Sequence, residues 1–119
     1  MSWRTIFLRV TACLFVFAAI VHLRHVLSPE PADPSSGLRH AVFVGINLVS
    51  AVCLWTQPPW FKYAFGVLVL QQLYGHGGMA SRAWFEQQQI DAVSLVIVVL
   101  LPVTWVVLWS RSSEAVGPG

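Results

Sequence analysis

Apolar residues along this chain fall in four long runs, separated by short polar or proline-rich connections. The runs cover about residues 3–27, 37–55, 60–74 and 90–109. A helix that crosses the hydrocarbon core of a bilayer needs about 20 mostly apolar residues. The second and fourth runs fit best, because residues 41–60 and 92–110 contain no charged side chain. The pattern predicts an all-α polytopic integral membrane protein, a four-transmembrane-helix bundle that forms a single membrane domain over residues 1–119.

The first and third runs are less regular. The uncharged stretch 10–21 lies between Arg9 and Arg24, whose long side chains can reach opposite headgroup layers. The same stretch is also typical of a cleaved signal peptide, although the residues that follow lack a small-x-small cleavage site and favour a retained helix. In the third run, Gln71 and Gln72 interrupt the apolar residues. The glycines that follow predict that this helix ends near residue 74.

The sequence also predicts structure for the segments outside these runs. Residues 75–89 form the longest connection, and Trp84 and Phe85 within it predict a short helix lying at the membrane surface. Asp91 opens the fourth helix. The tail 111–119 is predicted to be disordered.

Composition supports the membrane interpretation. Only 10% of the residues are charged, whereas about a quarter are charged in a typical soluble domain. The net charge is +2 and the basic residues are scattered, so the basic patch of a nucleic-acid-binding protein is missing. The predicted partners are therefore the lipid bilayer and further membrane subunits, in a homo-oligomer or a larger complex. Cys13 and Cys53 belong to no CxxC pair and are interpreted as packing residues.

The loops also predict an orientation. The side that holds both termini carries Arg4, Arg9, Lys62 and Arg111, and the opposite side carries Arg24, Arg39 and Arg82. Because cytoplasmic loops are richer in Lys and Arg, both termini are predicted to be cytoplasmic, in a bacterial cytoplasmic (inner) membrane.

All four histidines fall on one face of the membrane in this topology. His22 and His25 end the first helix on a shared stripe, His40 begins the second, and His76 follows the third. If these stripes face the inside of the bundle, the sequence predicts a polar pocket near the outer leaflet. Its possible metal ligands are His22, His25, His40, His76 and Asp91, and Asn47 and Gln72 lie beside them.

Several kinds of chemistry fit such a pocket. Imidazoles with a carboxylate could bind zinc or copper, two histidines could be the axial ligands of a haem, and the group could relay protons or hydrogen-bond a quinone. Histidines at helix ends also commonly lie in the headgroup layer with no further role. Asn47 and the Gln71–Gln72 pair are expected to hydrogen-bond between helices. HExxH, CxxC and Gly-rich phosphate motifs are all missing, so an enzyme is not the favoured interpretation.

In size and span number the chain resembles the small multidrug exporters and the DoxX-like four-helix membrane proteins. The exporters depend on a membrane-embedded glutamate in their first helix, but the corresponding stretch here, VTACLFVFAA (residues 10–19), contains no acid. Three functions are consistent with the sequence. A structural or accessory membrane subunit is favoured, and the alternatives are a metal- or haem-binding redox protein and a small oligomeric transporter.

Overall fold

The computed structural model describes residues 1–33 and 36–110, which contain four α-helices and no strand. Their bounds are α1 Trp3–Leu27, α2 Ser36–Thr56, α3 Phe61–Gln87 and α4 Ala92–Trp109. The all-α prediction is confirmed. Helices α1, α2 and α4 are long and apolar enough to cross a membrane. The predicted disordered tail, 111–119, lies outside the described residues.

The helices form two compact units. The first, Met1–Pro58, contains α1 and α2, and the second, Pro59–Gly119, contains α3 and α4. In the first unit the guanidinium of Arg4 donates to the side chain of Gln57, while His22 near the other end of α1 contacts His40 at the start of α2. The two helices are therefore antiparallel and form a helical hairpin. The single domain over all 119 residues stays a prediction.

Local sequence determines where the helices begin. The Ser2 hydroxyl accepts a hydrogen bond from the Thr5 backbone N–H and caps α1, which begins and ends at the predicted residues. Asp91 caps α4 by accepting from the Ser94 N–H at 3.0 Å, so this helix begins at Ala92, two residues later than expected. Helix α2 extends one residue beyond its predicted range at each end.

Helix α3 departs furthest from the prediction. Its expected end near residue 74 is wrong, and so is the separate surface helix, because α3 continues through Trp84 and Phe85 to Gln87. None of the described glycines has a positive φ. A glycine costs about 1 kcal/mol relative to alanine inside a helix, which weakens a long helix without ending it. The helix ends instead at Gln88, which adopts the left-handed conformation at φ 53°.

Candidate functional site

His22 and His40 meet at the connected end of the first unit. Their Nδ1 atoms are 2.8 Å apart. Helix α1 presents His22 and His25 on one face, since they are three residues apart, and the short connection brings the first turn of α2 against that face. The ring of His25 stacks on that of His40, with centroids 4.6 Å apart and an angle of 20° between the planes. We call these three residues the histidine cluster.

Phe43 supports the histidine cluster from α2. It lies three residues after His40 on the same helix, and its ring stacks on that of His22 with centroids 5.3 Å apart. His22 therefore contacts both His40 and Phe43. Phe43 was not predicted from the sequence, although its spacing from His40 is a usable signal.

The hydrogen bond between His22 and His40 restricts the protonation of both rings. A neutral imidazole carries one proton, on either Nδ1 or Nε2, and an Nδ1–Nδ1 bond needs one donor and one acceptor. When both rings are neutral, one is therefore the Nδ1–H tautomer and the other the Nε2–H tautomer. Protonating both rings would place two N–H donors against each other and break the bond.

Charged side chains surround the histidine cluster. Arg39 forms an ion pair with Asp33 at 2.9 Å, which offsets its charge beside His40. A surface depression of about 410 Å³ opens next to the cluster and is lined by Val21, Arg24, His25 and Ser28. Of the three histidines, His25 borders this depression.

A second polar group joins α3 to α4 in the other unit. The Ser94 hydroxyl donates to Asp91 Oδ2 at 2.6 Å, and the Ser94 Oγ itself lies 3.0 Å from His76 Nδ1. Ser94 is buried. Because its single proton is directed at the carboxylate, the Ser94 oxygen must accept from His76, which is then protonated at Nδ1.

Ser94 also controls the ionisation of Asp91. Its hydroxyl, and then its backbone N–H, donate to the carboxylate and hold the pKa of Asp91 below the ordinary value for an aspartate. Hydrogen bonds to the charged form stabilise that form. Asp91 is therefore a carboxylate at neutral pH, committed to capping α4.

The remaining candidates, Asn47 and Gln72, make hydrogen bonds of their own. Asn47 is buried, and its amide donates to the Phe43 carbonyl oxygen of its own helix at 2.7 Å. The side chain of Gln72 donates to that of Gln71. Each of these bonds lies within one helix, and the expected hydrogen bonds between helices stay a prediction for the other amide groups of these side chains. Cys13 is exposed rather than packed, whereas Cys53 is buried as expected.

The predicted ligand set is accordingly divided between the units. The histidine cluster forms in the first, and His76 joins Asp91 through Ser94 in the second. Within residues 1–33 and 36–110, no three His, Cys, Asp or Glu side chains are gathered in a group that could hold a metal ion. The chain matches no protein-family model, no curated protein and no solved structure.

Proposed function

We propose that this chain is a four-helix membrane bundle of a bacterial cytoplasmic membrane and that it acts as a structural or accessory subunit. The observation that carries the proposal is the length and apolar character of α1, α2 and α4. Helices of this kind are stable when lipid surrounds them, because every backbone polar group is bonded within the helix.

Large apolar side chains along these helices point outward. The exposed fraction is 66% for Phe17 in α1, 63% for Val52 in α2 and 64% for Val99 in α4. In water such surface costs about 25 cal/mol per Å². In a bilayer the same side chains contact lipid tails or the helices of a partner.

Polar side chains inside the apolar stretches are satisfied locally. The hydroxyls of Thr11 and Thr104 donate to the carbonyls four residues earlier, Phe7 and Leu100, at 2.9 and 2.8 Å. This arrangement removes the cost of an unpaired donor in hydrocarbon. It suits a helix that crosses a membrane.

The fourth crossing rests on the packing of α3 along α4. The Trp105 indole donates to the carbonyl of Lys62 near the start of α3, and Ser94 bonds to His76 fourteen residues further along. Fourteen residues of helix cover about 21 Å. Helix α3, with 27 residues, is about 40 Å long, and a helix of that length held to α4 at two such points is long enough to cross the same membrane.

Cation–aromatic pairs support the proposed positions of the helix ends at the headgroup layer. The guanidinium of Arg9 lies 4.8 Å from the ring centre of Trp55, and the ammonium of Lys62 lies 4.3 Å from that of Trp109. Tryptophan and basic side chains are both favoured at the headgroup layer. In the proposed topology both pairs lie at the cytoplasmic surface.

Cysteine labelling tests the topology. In a Cys13→Ala, Cys53→Ala background, single cysteines replace Asp33, Gln57 or Gln89, and spheroplasts are treated with a membrane-impermeant maleimide. We expect labelling at positions 33 and 89, and at 57 only after the membrane is permeabilised. Labelling of 33 and 57 from the same side would refute the proposed crossings.

The accessory role needs a separate test. The chain, carrying a tag without histidines, is isolated in a mild detergent and its native mass is measured. We expect a homo-oligomer or a larger assembly that survives the His22→Ala, His40→Ala and His76→Ala substitutions. A monomer under all mild conditions would overturn this role and leave the topology standing.

A further inference from the structure

We propose that the histidine cluster is a pH switch. Near neutral pH the bond between His22 and His40 holds the connected ends of α1 and α2 together, and acid separates them. The switch goes beyond the accessory role and needs only the first unit. The side of the membrane whose pH it reports rests on the proposed topology, and with cytoplasmic termini that side is the outer one.

The two bonded rings can take up one proton without losing their bond. In the neutral pair the donor ring carries its proton on Nδ1 and has a lone pair on Nε2, while the acceptor ring uses its Nδ1 lone pair in the bond. A first proton therefore goes to Nε2 of the donor ring. That ring becomes an imidazolium, and a charged donor makes the bond stronger.

A second proton breaks the bond between the rings. It must go to Nδ1 of the acceptor ring, where it meets the N–H of the donor ring across 2.8 Å. Two N–H groups that face each other can both bond only to an oxygen between them, such as that of a water molecule, at about 2.9 Å from each nitrogen. The nitrogens are then about 5 Å apart, so the rings must separate by about 2 Å.

The two neighbouring rings determine which histidine is charged first. Phe43 stacks on His22 with centroids 5.3 Å apart, and the face of an aromatic ring attracts a cation. His25 stacks on His40 with centroids 4.6 Å apart, so a proton on His25 repels a charge on His40. Both contacts favour His22 as the ring that takes the first proton and donates, and His40 as the ring whose protonation breaks the bond.

The charged side chains around the cluster balance one another. The groups that act on His40 or line the depression beside His25, taken over both helices and their connection, are Arg24, His25, Glu30, Asp33 and Arg39. Two of them are acids and two are arginines, and Asp33 is already paired with Arg39 at 2.9 Å. Each proton that the cluster takes up therefore adds a net positive charge, which increases the repulsion between the rings.

The opposite end of the hairpin does not respond to the same range of pH. There the guanidinium of Arg4 donates to Gln57, and that of Arg9 lies 4.8 Å from the ring centre of Trp55. Arginine stays charged in proteins, whereas imidazole takes up protons between about pH 7.5 and pH 4.5. Acid in this range should therefore open the hairpin at the cluster and leave the other end closed.

Spin-label distances in the detergent-purified chain test the switch. Because His22 lies opposite His40 in an antiparallel pair, positions 20 and 42 lie opposite each other, and so do positions 10 and 52. All four side chains are exposed. In the chain without its native cysteines, labelled cysteines replace either pair. Lowering the pH from about 7.5 to about 4.5 should lengthen the 20–42 distance reversibly by about 2 Å or more and leave the 10–52 distance unchanged.

Histidine variants separate the bond from general effects of acid. His22→Phe and His40→Phe each keep a ring but cannot form the bond, and each should lose most of the change in distance. His76→Phe, which changes a histidine of the other unit, is the matched control and should keep it. Circular dichroism shows whether each variant stays helical, and ¹⁵N spectra of the unchanged chain near neutral pH should show a coupling across the Nδ1–Nδ1 bond.

Four results would overturn the switch. They are a 20–42 distance that does not respond to acid, a full response in the His22→Phe, His40→Phe double variant, an equal change in the 10–52 distance, and ring nitrogens without a coupling across the bond. Loss of the response in His76→Phe would also reject it, since the second unit has no part in the bond. The measurement uses a single chain in detergent, so its failure is distinct from a failed topology or assembly test.

Discussion

The indole of Trp105 lies directly against Gly66, so that a Cβ added to the glycine would be 3.0 Å from the ring. The same indole donates to the carbonyl oxygen of Lys62 at 2.9 Å. Lys62 precedes Gly66 by four residues, and its carbonyl is therefore also the helical acceptor for the Gly66 N–H. The absence of a side chain at position 66 lets the ring reach the backbone of α3.

Replacing Gly66 should weaken the packing of α3 against α4 in the second unit. In Gly66→Ala the new methyl group pushes the Trp105 ring away from α3 and lengthens its bond to Lys62. We expect the free energy of unfolding to fall by about 1–3 kcal/mol, as is usual for overpacking. Denaturant unfolding in detergent, followed by tryptophan fluorescence, measures the change.

Gly45 provides the matched control. It also lies inside a helix, α2, but nothing is within 4 Å of a Cβ built on it. Gly45→Ala should leave the free energy of unfolding unchanged or raise it by up to about 1 kcal/mol through helix propensity. Equal losses in the two variants would contradict the proposed role of Trp105.

The hydrogen bond of Trp105 can be tested separately from its packing. Trp105→Phe keeps an aromatic ring but removes the donor, and we expect a loss of about 1 kcal/mol from the bond, with a further loss from the smaller ring. In the double variant Gly66→Ala, Trp105→Phe, we expect a loss of unfolding free energy clearly smaller than the sum of the losses in the two single variants, because both changes disturb one contact. Additive losses would mean that the contact is not shared.

Apolar runs were sufficient to predict most of the fold. The hydrocarbon core demands long uncharged helices, so α1, α2 and α4 were recognisable from composition and length alone. The contact between Gly66 and Trp105 was not predictable, because complementary shape between two helices leaves no periodic signal. The length of α3 was misjudged because glycines were read as an end signal where the backbone stays helical.

Part of the candidate site was predictable from the order of the helices along the chain. A short connection forces the end of one helix beside the start of the next, so the meeting of His22 with His40 followed from topology. Which atoms face each other depends on ring rotation, which the sequence does not encode. The bond from Asn47 to Phe43 was not predictable either, because a buried amide can bond to its own helix as readily as to a neighbour.

The continuity of α3 beyond residue 74 predicts a measurable chemical-shift pattern. Residues 75–87 should show helical Cα shifts in nuclear magnetic resonance spectra of the chain in micelles. Gly78→Ala should strengthen that pattern, since position 78 has open space and alanine favours helix by about 1 kcal/mol. Random-coil shifts over 75–80 would contradict a continuous helix.

Asp91 should make the second unit sensitive to acid. Its pKa is lowered in the folded protein by the Ser94 hydroxyl and N–H, so its stabilising effect is complete above the unfolded-state pKa near 4 and is lost as the pH falls through the lower folded value. Unfolding measured between about pH 6 and pH 2 should show this loss. In Asp91→Asn the amide oxygen still accepts the Ser94 N–H but the side chain does not titrate. The free energy of unfolding of this variant should therefore lack the part of the loss in acid that comes from Asp91.

The tautomer of His76 tests the direction of the hydrogen bonds through Ser94. In the unchanged chain the Ser94 proton goes to Asp91, so His76 must donate from Nδ1, and its ¹⁵N shifts should report the Nδ1–H tautomer. Asp91→Asn reverses the direction of both hydrogen bonds, because an amide N–H can donate to the Ser94 oxygen. The Ser94 hydroxyl proton is then free to bond to His76. The imidazole should then change to the Nε2–H tautomer, whereas Ser94→Ala should remove the preference that Ser94 imposes. Nδ1–H shifts that persist in both variants would show that some other group holds the proton and that Ser94 does not connect His76 to Asp91.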